Sequence, residues 1–326
     1  RNLVQAVLNN KTSLIFGCAG QDGSLMSQSL LQKGEKVIGI SREKTSDIFN
    51  HIRLGIEKDI EIQKGDIRNY ATISGLIETY KPEKIFNFAA QSSVGKSFHS
   101  PTETIEGIVN GTLNILEVAR TVNFSGKIFF AGSSEMFGLT KIGATIKHKQ
   151  NPQSPYAIAK QASFNLVKFY RKNYKINCFT GVLFNHESHL RPTNFVTQKI
   201  IEGVIKSKKN KNHKINLGNI HIKRDWGWAE EYMEAIQIMS EVNENEDHVI
   251  CTGKSTSLMK FIEIAYSKLN LNWQDHVIID DKLKRKDEIS QSIGDPKPLE
   301  EKFHWRAKVD IDEIITKLID LKLQNK

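Results

Sequence analysis

A tyrosine and a lysine lie four residues apart in the stretch SPYAIAK, as Tyr156 and Lys160. On a helix this spacing brings both side chains to one face. A free tyrosine has a pKa of about 10 and is a poor base at neutral pH, but a neighbouring ammonium stabilises the phenolate and lowers that pKa. The pair could therefore exchange a proton with a substrate hydroxyl. A solvated helix face with the same spacing is the alternative.

A second polar group, SSEMFG at 133–138, follows directly after the apolar run KIFF. It puts the hydroxyl of Ser133 and the carboxylate of Glu135 where a buried strand is expected to end. A surface turn is one interpretation of this hexapeptide. The other is part of an active site, because the strand it ends precedes the helix of Tyr156, where Ser133 could hydrogen-bond a substrate hydroxyl.

Short β-branched runs alternate with longer helical patterns in the first half of the chain, which is typical of parallel βαβ units. The clearest helical patterns cover 102–120 and 154–174. This order predicts an α/β fold with a Rossmann-type doubly wound parallel sheet, whose ligands bind at the carboxyl ends of the strands. The predicted strands are 13–16, 36–40, 60–63, 84–89, 127–131 and 176–184.

The alternation becomes irregular after about residue 185, where polar loops separate the candidate elements. We therefore expect a dinucleotide-binding Rossmann domain over 1–184, with 219–250 returning to it. A smaller, mostly C-terminal α/β substrate domain is expected over 185–218 and 251–326.

Three glycines, Gly17, Gly20 and Gly23, follow the first predicted strand and open the first predicted helix. Glycines at these positions let the backbone approach a pyrophosphate, whose charge is met by the helix N-terminus. A purely structural turn is the alternative. The order along the chain, a strand, then the glycines, then a helix, favours dinucleotide binding.

The end of the second predicted strand, KVIGISRE, bears on the choice of dinucleotide. A carboxylate there holds the ribose of NAD, whereas an arginine suits the 2′-phosphate of NADP. Ser41 and Arg42 come first and Glu43 follows, which favours NADP. After the third strand, Asp66 either reaches the adenine or caps the next helix. The small residues that end the fourth strand, in NFAAQSSVG, would let a cofactor lie close to the sheet.

Composition excludes several classes of protein. The chain has 326 residues, 39% of them hydrophobic and 25% charged, which suffices for a sizeable core. The net charge of +9 favours acidic ligands, but the densest lysine cluster, 206–214, lacks the interleaved aromatics of a nucleic-acid surface. The three cysteines have no metal-site spacing, and neither a membrane span nor a signal peptide is visible. We expect a cytoplasmic protein that binds no nucleic acid, membrane or metal.

The chain resembles the extended short-chain dehydrogenase/reductases in six residues, namely Gly17, Gly20, Gly23, Ser133, Tyr156 and Lys160. Longer stretches are similar to one branch of that family, the GDP-mannose 4,6-dehydratases. They are GCAGQDGSL, SREKTSDIFNHI after the second predicted strand, SSEMFG, SPYAIAKQ, LFNHES at 183–188, NFVTQKI at 194–200 and LGNIHIKRDWGWAEEY at 217–232. RKDEI at 285–289 and GDP at 294–296 also fit, so the similarity runs across nearly the whole chain.

The resemblance implies an internal redox cycle on a GDP-linked mannose-type sugar. In the family, hydride leaves sugar C4 for NADP, water is eliminated across C5 and C6, and the hydride returns to C6. Elimination needs a base at C5, a role that the resemblance assigns to Glu135. Tyr156 would be the base at C4, and Lys160 would tune it and anchor the ribose. Ser133 would bond the sugar in place of the family's usual threonine.

The same resemblance implies two sets of binding residues. The cofactor-binding set is Gly17, Gly20, Gln21, Asp22, Gly23, Arg42, Asp66, Ile67, Ala89, Gln91, Tyr156, Lys160 and His186. The nucleotide-sugar set is Ser93, Ser133, Asn185, Lys199, Arg224, Arg285 and Glu288. Arginine suits the diphosphate because its fork meets phosphate oxygens in pairs. For Arg285 and Glu288 an exposed charge run is the alternative.

The resemblance also implies a homotetramer. Arg42, Ser46 and Asn50 match a stretch that, in the family, reaches the cofactor of a neighbouring subunit.

Departures from the family pattern concern the sugar. LFNHES is followed here by HLRPTNF, where the family commonly has a proline, two arginines and a glycine-rich step. His189, Leu190 and Pro192 therefore leave the choice between a hexose and a manno-heptose open. An epimerase or reductase of the same superfamily is disfavoured by Glu135. A non-catalytic nucleotide-binding member is disfavoured by the joint presence of Ser133, Glu135, Tyr156 and Lys160.

Overall fold

The computed structural model describes residues 11–42, 49–284 and 288–324. Its strands are β1 Thr12–Phe16, β2 Lys36–Ser41, β3 Glu61–Lys64, β4 Lys84–Asn87, β5 Lys127–Ser133, β6 Cys178–Leu183, β7 Asn185–Glu187, β8 Ile215–Leu217, β9 Lys223–Arg224, β10 Trp226–Trp228, β11 His248–Ile250, β12 Thr256–Ser257 and β13 Val277–Ile279. Its α-helices are α1 Gln21–Gln32, α2 Phe49–Leu54, α3 Tyr70–Tyr80, α4 Val94–His99, α5 Pro101–Ile105, α6 Gly111–Thr121, α7 Pro155–Tyr174, α8 Val196–Lys209, α9 Ala229–Glu241, α10 Leu258–Lys268, α11 Lys297–Phe303 and α12 Ile311–Gln324. Short 3-10 turns cover Ser134–Phe137, Trp273–Asp275 and Asp281–Leu283.

Seven of the described strands form one sheet in the order β11-β6-β5-β4-β1-β2-β3. The pairs β1–β2, β2–β3, β1–β4 and β4–β5 are parallel. The chain winds outward on both sides of β1, so the order reverses between β1 and β4, where a doubly wound sheet binds its ligands. This arrangement confirms the predicted Rossmann-type sheet, and all six predicted strands are present in it.

Contacts divide the chain into two units. The first comprises the described parts of Arg1–Gly132, Ile158–Gly181 and Ile236–Asp247. Its core joins the inner strands to one face of α6, where Ile115, Leu116 and Ala119 follow the helical spacing of a buried stripe. Apolar residues such as Leu14, Ile38, Ile85 and Ile128 line the strands of this core, as expected for a sheet covered by helices.

The second unit comprises Ser133–Ala157, Val182–Ala235 and the described part of His248–Lys326. Its core is built by α8, α10 and α12, whose inward residues include Ile201, Phe261 and Leu318. Three two-stranded sheets belong to it, β7 with β10, β8 with β13 and β9 with β12. These short pairs bring together the LFNHES and KRDWG stretches, because Asn185 lies opposite Trp226.

The helix predicted over 102–120 consists of α5, a π-helical turn at Glu106–Asn110, and α6. The side chain of Ser163 donates a hydrogen bond to the carbonyl of Ile108 within this turn, at 3.1 Å. Such turns leave a carbonyl outside the regular ladder, and here a hydroxyl binds it. None of the described helices has the length and apolar character required to cross a membrane.

Candidate active site

In the first unit, a cavity of about 250 Å³ lies at the carboxyl ends of β1, β2, β3 and β4. Its walls come from the four segments that follow those strands, with additional residues from α4 and the helix at 101–121. Of the predicted cofactor-binding residues, the lining includes Gly17, Gly20, Arg42, Asp66, Ile67, Ala89 and Gln91. Seven of the predicted residues, from four separate strand ends, therefore line one cavity.

The glycine turn needs two of its glycines for steric reasons. Gly17 has a φ of +77°, and a Cβ there would lie 2.7 Å from the backbone nitrogen of Ala89, just after the neighbouring strand β4. A Cβ on Gly23 would lie 2.2 Å from the carbonyl oxygen of Gly17. A side chain at Gly17 would collide with the backbone that follows β4, and one at Gly23 would push α1 away from the turn. Glycine at these two positions is therefore required for the turn to pack against β4 and to lead into α1.

Asp66 and Arg68 form an ion pair on the cavity wall. Arg68 donates from Nε and Nη2 to both carboxylate oxygens of Asp66, at 2.5 to 3.0 Å. These hydrogen bonds hold the pKa of Asp66 below its usual range. The alternative that Asp66 caps the next helix is wrong, because Asn69 caps α3 by accepting from Thr72 N–H.

The described lining of the cavity does not include the other predicted residues of the first unit, namely Gln21, Asp22, Gly23, Ser93 and Lys160. Gln21 is buried at the start of α1, and its amide donates to the carboxylate of Asp22 at 3.0 Å. Ser93, predicted to bind the sugar, caps α4, and its N–H donates to the side-chain oxygen of Gln91 at 2.7 Å. That bond fixes the side chain of a residue that lines the cavity.

Lys160 lies on α7 in the first unit. Its ammonium donates to the carbonyl oxygen of Ala131 at 2.9 Å. Burial lowers its pKa from 10.5 to about 8, an effect that the charge of Asp22 partly opposes. Lys160 also lines a small polar cavity with Asn87 and Thr180. A lysine whose pKa lies near neutral suits a role in proton chemistry.

In the second unit, the 3-10 turn at Ser134–Phe137 follows β5 directly. Ser133 caps the turn, since its Oγ accepts from the N–H of Glu135 at 3.3 Å. Ser134, Met136 and Phe137 are buried, whereas the side chain of Glu135 is only partly buried. Glu135 is therefore the one partly exposed residue of an otherwise buried turn.

Tyr156 occupies the first turn of α7 and is 8% exposed. The hydroxyl of Ser154 accepts from the N–H of Ala157 at 3.1 Å, which fixes the start of this helix. Tyr156 and Lys160 are one helical turn apart, as predicted from their spacing.

Three of the family-like stretches meet within the second unit. The guanidinium of Arg224 donates to the carbonyl of Ile289 at 2.7 Å, directly after Glu288. Lys223 N–H donates to Ser290 O at 2.8 Å. The segment after the Glu135 turn joins them, since Thr140 donates to the carbonyl of Ile293 at 3.0 Å. SSEMFG, KRDWG and the stretch around Glu288 are therefore neighbours in space, although they are far apart in sequence.

The other predicted residues of the second unit have partners of their own. Lys199 is exposed on α8 and donates to Asn216 O at 2.7 Å. Asn185 begins β7. His186 faces the ring of Tyr232 at a centroid distance of 5.0 Å, and its Nδ1 lies 2.7 Å from the carbonyl of Phe184. Because a carbonyl only accepts, Nδ1 is the protonated nitrogen. Arg285 and Ser46 lie outside the described residues.

Sequence reasoning missed several residues that shape these regions. Arg68 and Lys96 line the cavity as cations, and Arg68 was visible two positions after Asp66. Asp225, in KRDWG, is fully buried and accepts from Thr252, Gly253 and Gly294, a role that no local pattern indicates.

Comparison with known proteins agrees with this geometry. The model of the GDP-mannose 4,6 dehydratase family matches residues 14–318. The chain belongs to this family. It is 34% identical to GDP-mannose 4,6 dehydratase 1 of Arabidopsis thaliana over 325 residues, covering 96% of this chain and 90% of that protein. The protein is accordingly an enzyme of the hydro-lyase class, as the resemblance predicted.

Solved structures support the fold of this GDP-mannose 4,6-dehydratase family member. The dTDP-glucose 4,6-dehydratase of Streptomyces venezuelae with NAD bound superposes with a TM-score of 0.86 at 18% identity, covering 96% of this chain and 97% of that one. RMD from Pseudomonas aeruginosa complexed with NADPH superposes with a TM-score of 0.79 at 17% identity, covering 97% of this chain and 100% of that one.

Proposed function

We propose that the protein is an NADP-dependent 4,6-dehydratase that converts a GDP-linked mannose-type sugar to its 4-keto-6-deoxy form. Family membership supports the reaction class, and the curated relative is named for GDP-mannose. The observation that carries the proposal is Glu135, the partly exposed residue of an otherwise buried turn at the end of β5. A simple oxidation or epimerisation at C4 has no use for such a base, whereas elimination across C5 and C6 requires one.

The cofactor part of the proposal is supported by the cavity at the four strand ends. The glycine turn contributes Gly17, Ala19 and Gly20 to its lining, and such small residues let a ligand lie close to the backbone. Ser41 and Arg42 form the cavity wall at the end of β2. A guanidinium there suits the 2′-phosphate of NADP, since charge-assisted hydrogen bonds to phosphate are strong. The solved neighbours include one with NAD and one with NADPH, so Arg42 decides our choice.

We assign the chemical roles as follows. When bound, NADP supplies the site that accepts a hydride from C4 and returns it to C6. Tyr156 takes the proton of the C4 hydroxyl, and Ser133 bonds the same hydroxyl. The Lys160 ammonium favours the phenolate and holds the ribose.

Glu135 then removes the C5 proton, which the C4 ketone has made acidic, while the C6 hydroxyl leaves as water after gaining a proton. A proton returns to C5 as the hydride returns to C6. The cofactor therefore ends in its starting state, and the net change is the loss of one water.

Substrate binding is assigned to the second unit. Arg224 and Glu288 belong to the segments joined through the carbonyl of Ile289, and we propose that they face the diphosphate and guanosine end of the substrate. Asn185, Lys199 and Arg285 complete the proposed set together with Ser93, which belongs to the first unit. The predicted domain division, with 1–184 and 219–250 for the cofactor and the remainder for the sugar, stays a prediction, as does the homotetramer. Light scattering of the purified protein measures the latter.

Mass spectrometry of the sugar nucleotide tests the proposed function. The purified protein is incubated with NADP and either GDP-mannose or GDP-manno-heptose. Loss of one water from GDP-mannose supports the proposal as stated, and loss from the heptose alone moves the substrate to the longer sugar. If neither sugar loses water while NADP binds, the proposed reaction is wrong. Glu135→Gln is the matched control, because its amide has a similar shape but is not a base.

A further inference from the structure

The turn between β1 and α1 is held from outside by helix α2. The Asn50 amide donates from Nδ2 to the carbonyl oxygen of Ala19 at 2.9 Å. Nε2 of His51 lies 2.9 Å from the carbonyl oxygen of Cys18, and His51 is only 1% exposed. Because a carbonyl oxygen can only accept, this nitrogen donates. Two adjacent residues of α2 thus bind two adjacent carbonyls of the glycine turn.

These contacts fix the direction of a backbone N–H group. In a planar trans peptide, the carbonyl and the N–H that follows it point in opposite directions. The carbonyl of Cys18 also accepts from Ser24 Oγ at 2.9 Å, so it is held by both α1 and α2. The N–H of Ala19 therefore points away from both helices. Ala19 itself lines the cavity at the strand ends.

The next peptide is held in the same way. Its carbonyl, that of Ala19, accepts from Asn50, and its N–H, that of Gly20, donates to the carbonyl of Gly17 at 3.2 Å. Asn50 thus supports the hydrogen bond that closes the turn.

We infer that Asn50 and His51 are positioning residues for phosphate recognition, which orient the N–H of Ala19 toward the pyrophosphate of a bound dinucleotide. The inference rests on the proposed dinucleotide cofactor. Neither side chain needs to contact the ligand. Backbone N–H groups at a helix N-terminus bind phosphate well when they are held in place beforehand. By resemblance to the family, Asn50 belongs to a stretch that reaches a neighbouring subunit. In this structure its amide instead donates a hydrogen bond to the carbonyl of Ala19 in its own chain.

Four variants separate this role from general support of the fold. Asn50→Leu and His51→Leu remove one donor each with little change in volume, whereas His51→Gln keeps an N–H donor. Gln28→Leu is the matched control, because Gln28 donates to Leu54 O at 3.1 Å and so also joins α1 to α2, but away from the turn. Calorimetry measures the dissociation constants of NADP and of 2′-AMP, which lacks the pyrophosphate.

We expect Asn50→Leu and His51→Leu to weaken NADP binding about tenfold, with 2′-AMP binding unchanged, as loss of a well-placed hydrogen bond predicts. His51→Gln should recover most of the affinity, and Gln28→Leu should bind NADP normally. Equal NADP binding by all variants would overturn the inference, and so would an equal weakening of 2′-AMP. If the wild-type chain binds neither NADP nor NAD, the inference and the proposed function are both wrong. If the wild-type chain prefers NAD, the dissociation constants of NAD and AMP in the same four variants test the inference.

Discussion

The ammonium of Lys160 lies 2.9 Å from the carbonyl oxygen of Ala131, the residue two positions before Ser133 on β5. Burial lowers the pKa of this lysine from 10.5 to about 8. As the pH rises through about 8, the side chain loses its proton, and a neutral amine no longer attracts the anionic cofactor. We therefore expect NADP affinity to fall above that pH.

Titration calorimetry between pH 6 and pH 9.5, about the range in which this lysine changes charge, checks this expectation. Lys160→Met should bind NADP more weakly and show no step near the pKa of Lys160. Lys168→Met, an exposed lysine on the same helix, should keep the wild-type profile. An affinity that stays constant across the range would contradict the role of the Lys160 charge.

Glu135→Gln should stop elimination but leave C4 oxidation possible. The amide cannot take the C5 proton, so NADPH and a 4-keto sugar that retains its 6-hydroxyl should accumulate. Absorbance at the NADPH band and mass spectrometry of the sugar measure both products. Unchanged NADP binding shows that the variant is folded, and full dehydratase activity in that variant would disprove the assignment.

Tyr156→Phe removes the proposed base at C4. Turnover should fall about 10²-fold or more, as expected for the loss of a general base. Tyr174→Phe is the matched control, because this tyrosine lies on the same helix and is exposed. A small loss in Tyr156→Phe, comparable to that of the control, would mean that another group is the base.

Arg42→Ala should change the choice of cofactor. Loss of the guanidinium removes a charge-assisted contact to the 2′-phosphate, so NADP affinity should fall about tenfold or more. NAD affinity should stay the same because NAD lacks this phosphate. Lys96→Met removes another cation from the same cavity and should leave the NADP-to-NAD ratio unaltered. An unaltered ratio in Arg42→Ala would mean that Arg42 does not bind the 2′-phosphate.

Asp225→Asn tests a buried carboxylate of the second unit. Its two oxygens accept four hydrogen bonds, from the N–H and hydroxyl of Thr252 and from the N–H groups of Gly253 and Gly294. Asparagine offers one acceptor oxygen, so N–H donors would face its NH₂ group. We expect a loss of about 2–4 kcal/mol in the free energy of unfolding, measured by urea denaturation.

Asp310→Asn is the matched control for that measurement. Asp310 accepts from Glu313 N–H at the exposed start of α12, a position where asparagine serves equally well. A similar stability for both variants would show that the contacts of Asp225 contribute little.

The sequence by itself determined the local elements of this protein. Six of the seven strands of the main sheet, the glycine turn and the helix that carries Tyr156 and Lys160 all follow from periodicity and spacing, because these features depend on residues close in the chain. The π-helical turn at Glu106–Asn110 was not predicted, since its stabilising contact to Ser163 comes from a distant helix.

Only the tertiary structure decided which residues become partners. Arg224 bonds the carbonyl of Ile289, 65 positions away, and His51 bonds the carbonyl of Cys18 in the glycine turn. Such choices depend on which loops the strand order brings together, and local sequence does not encode that order.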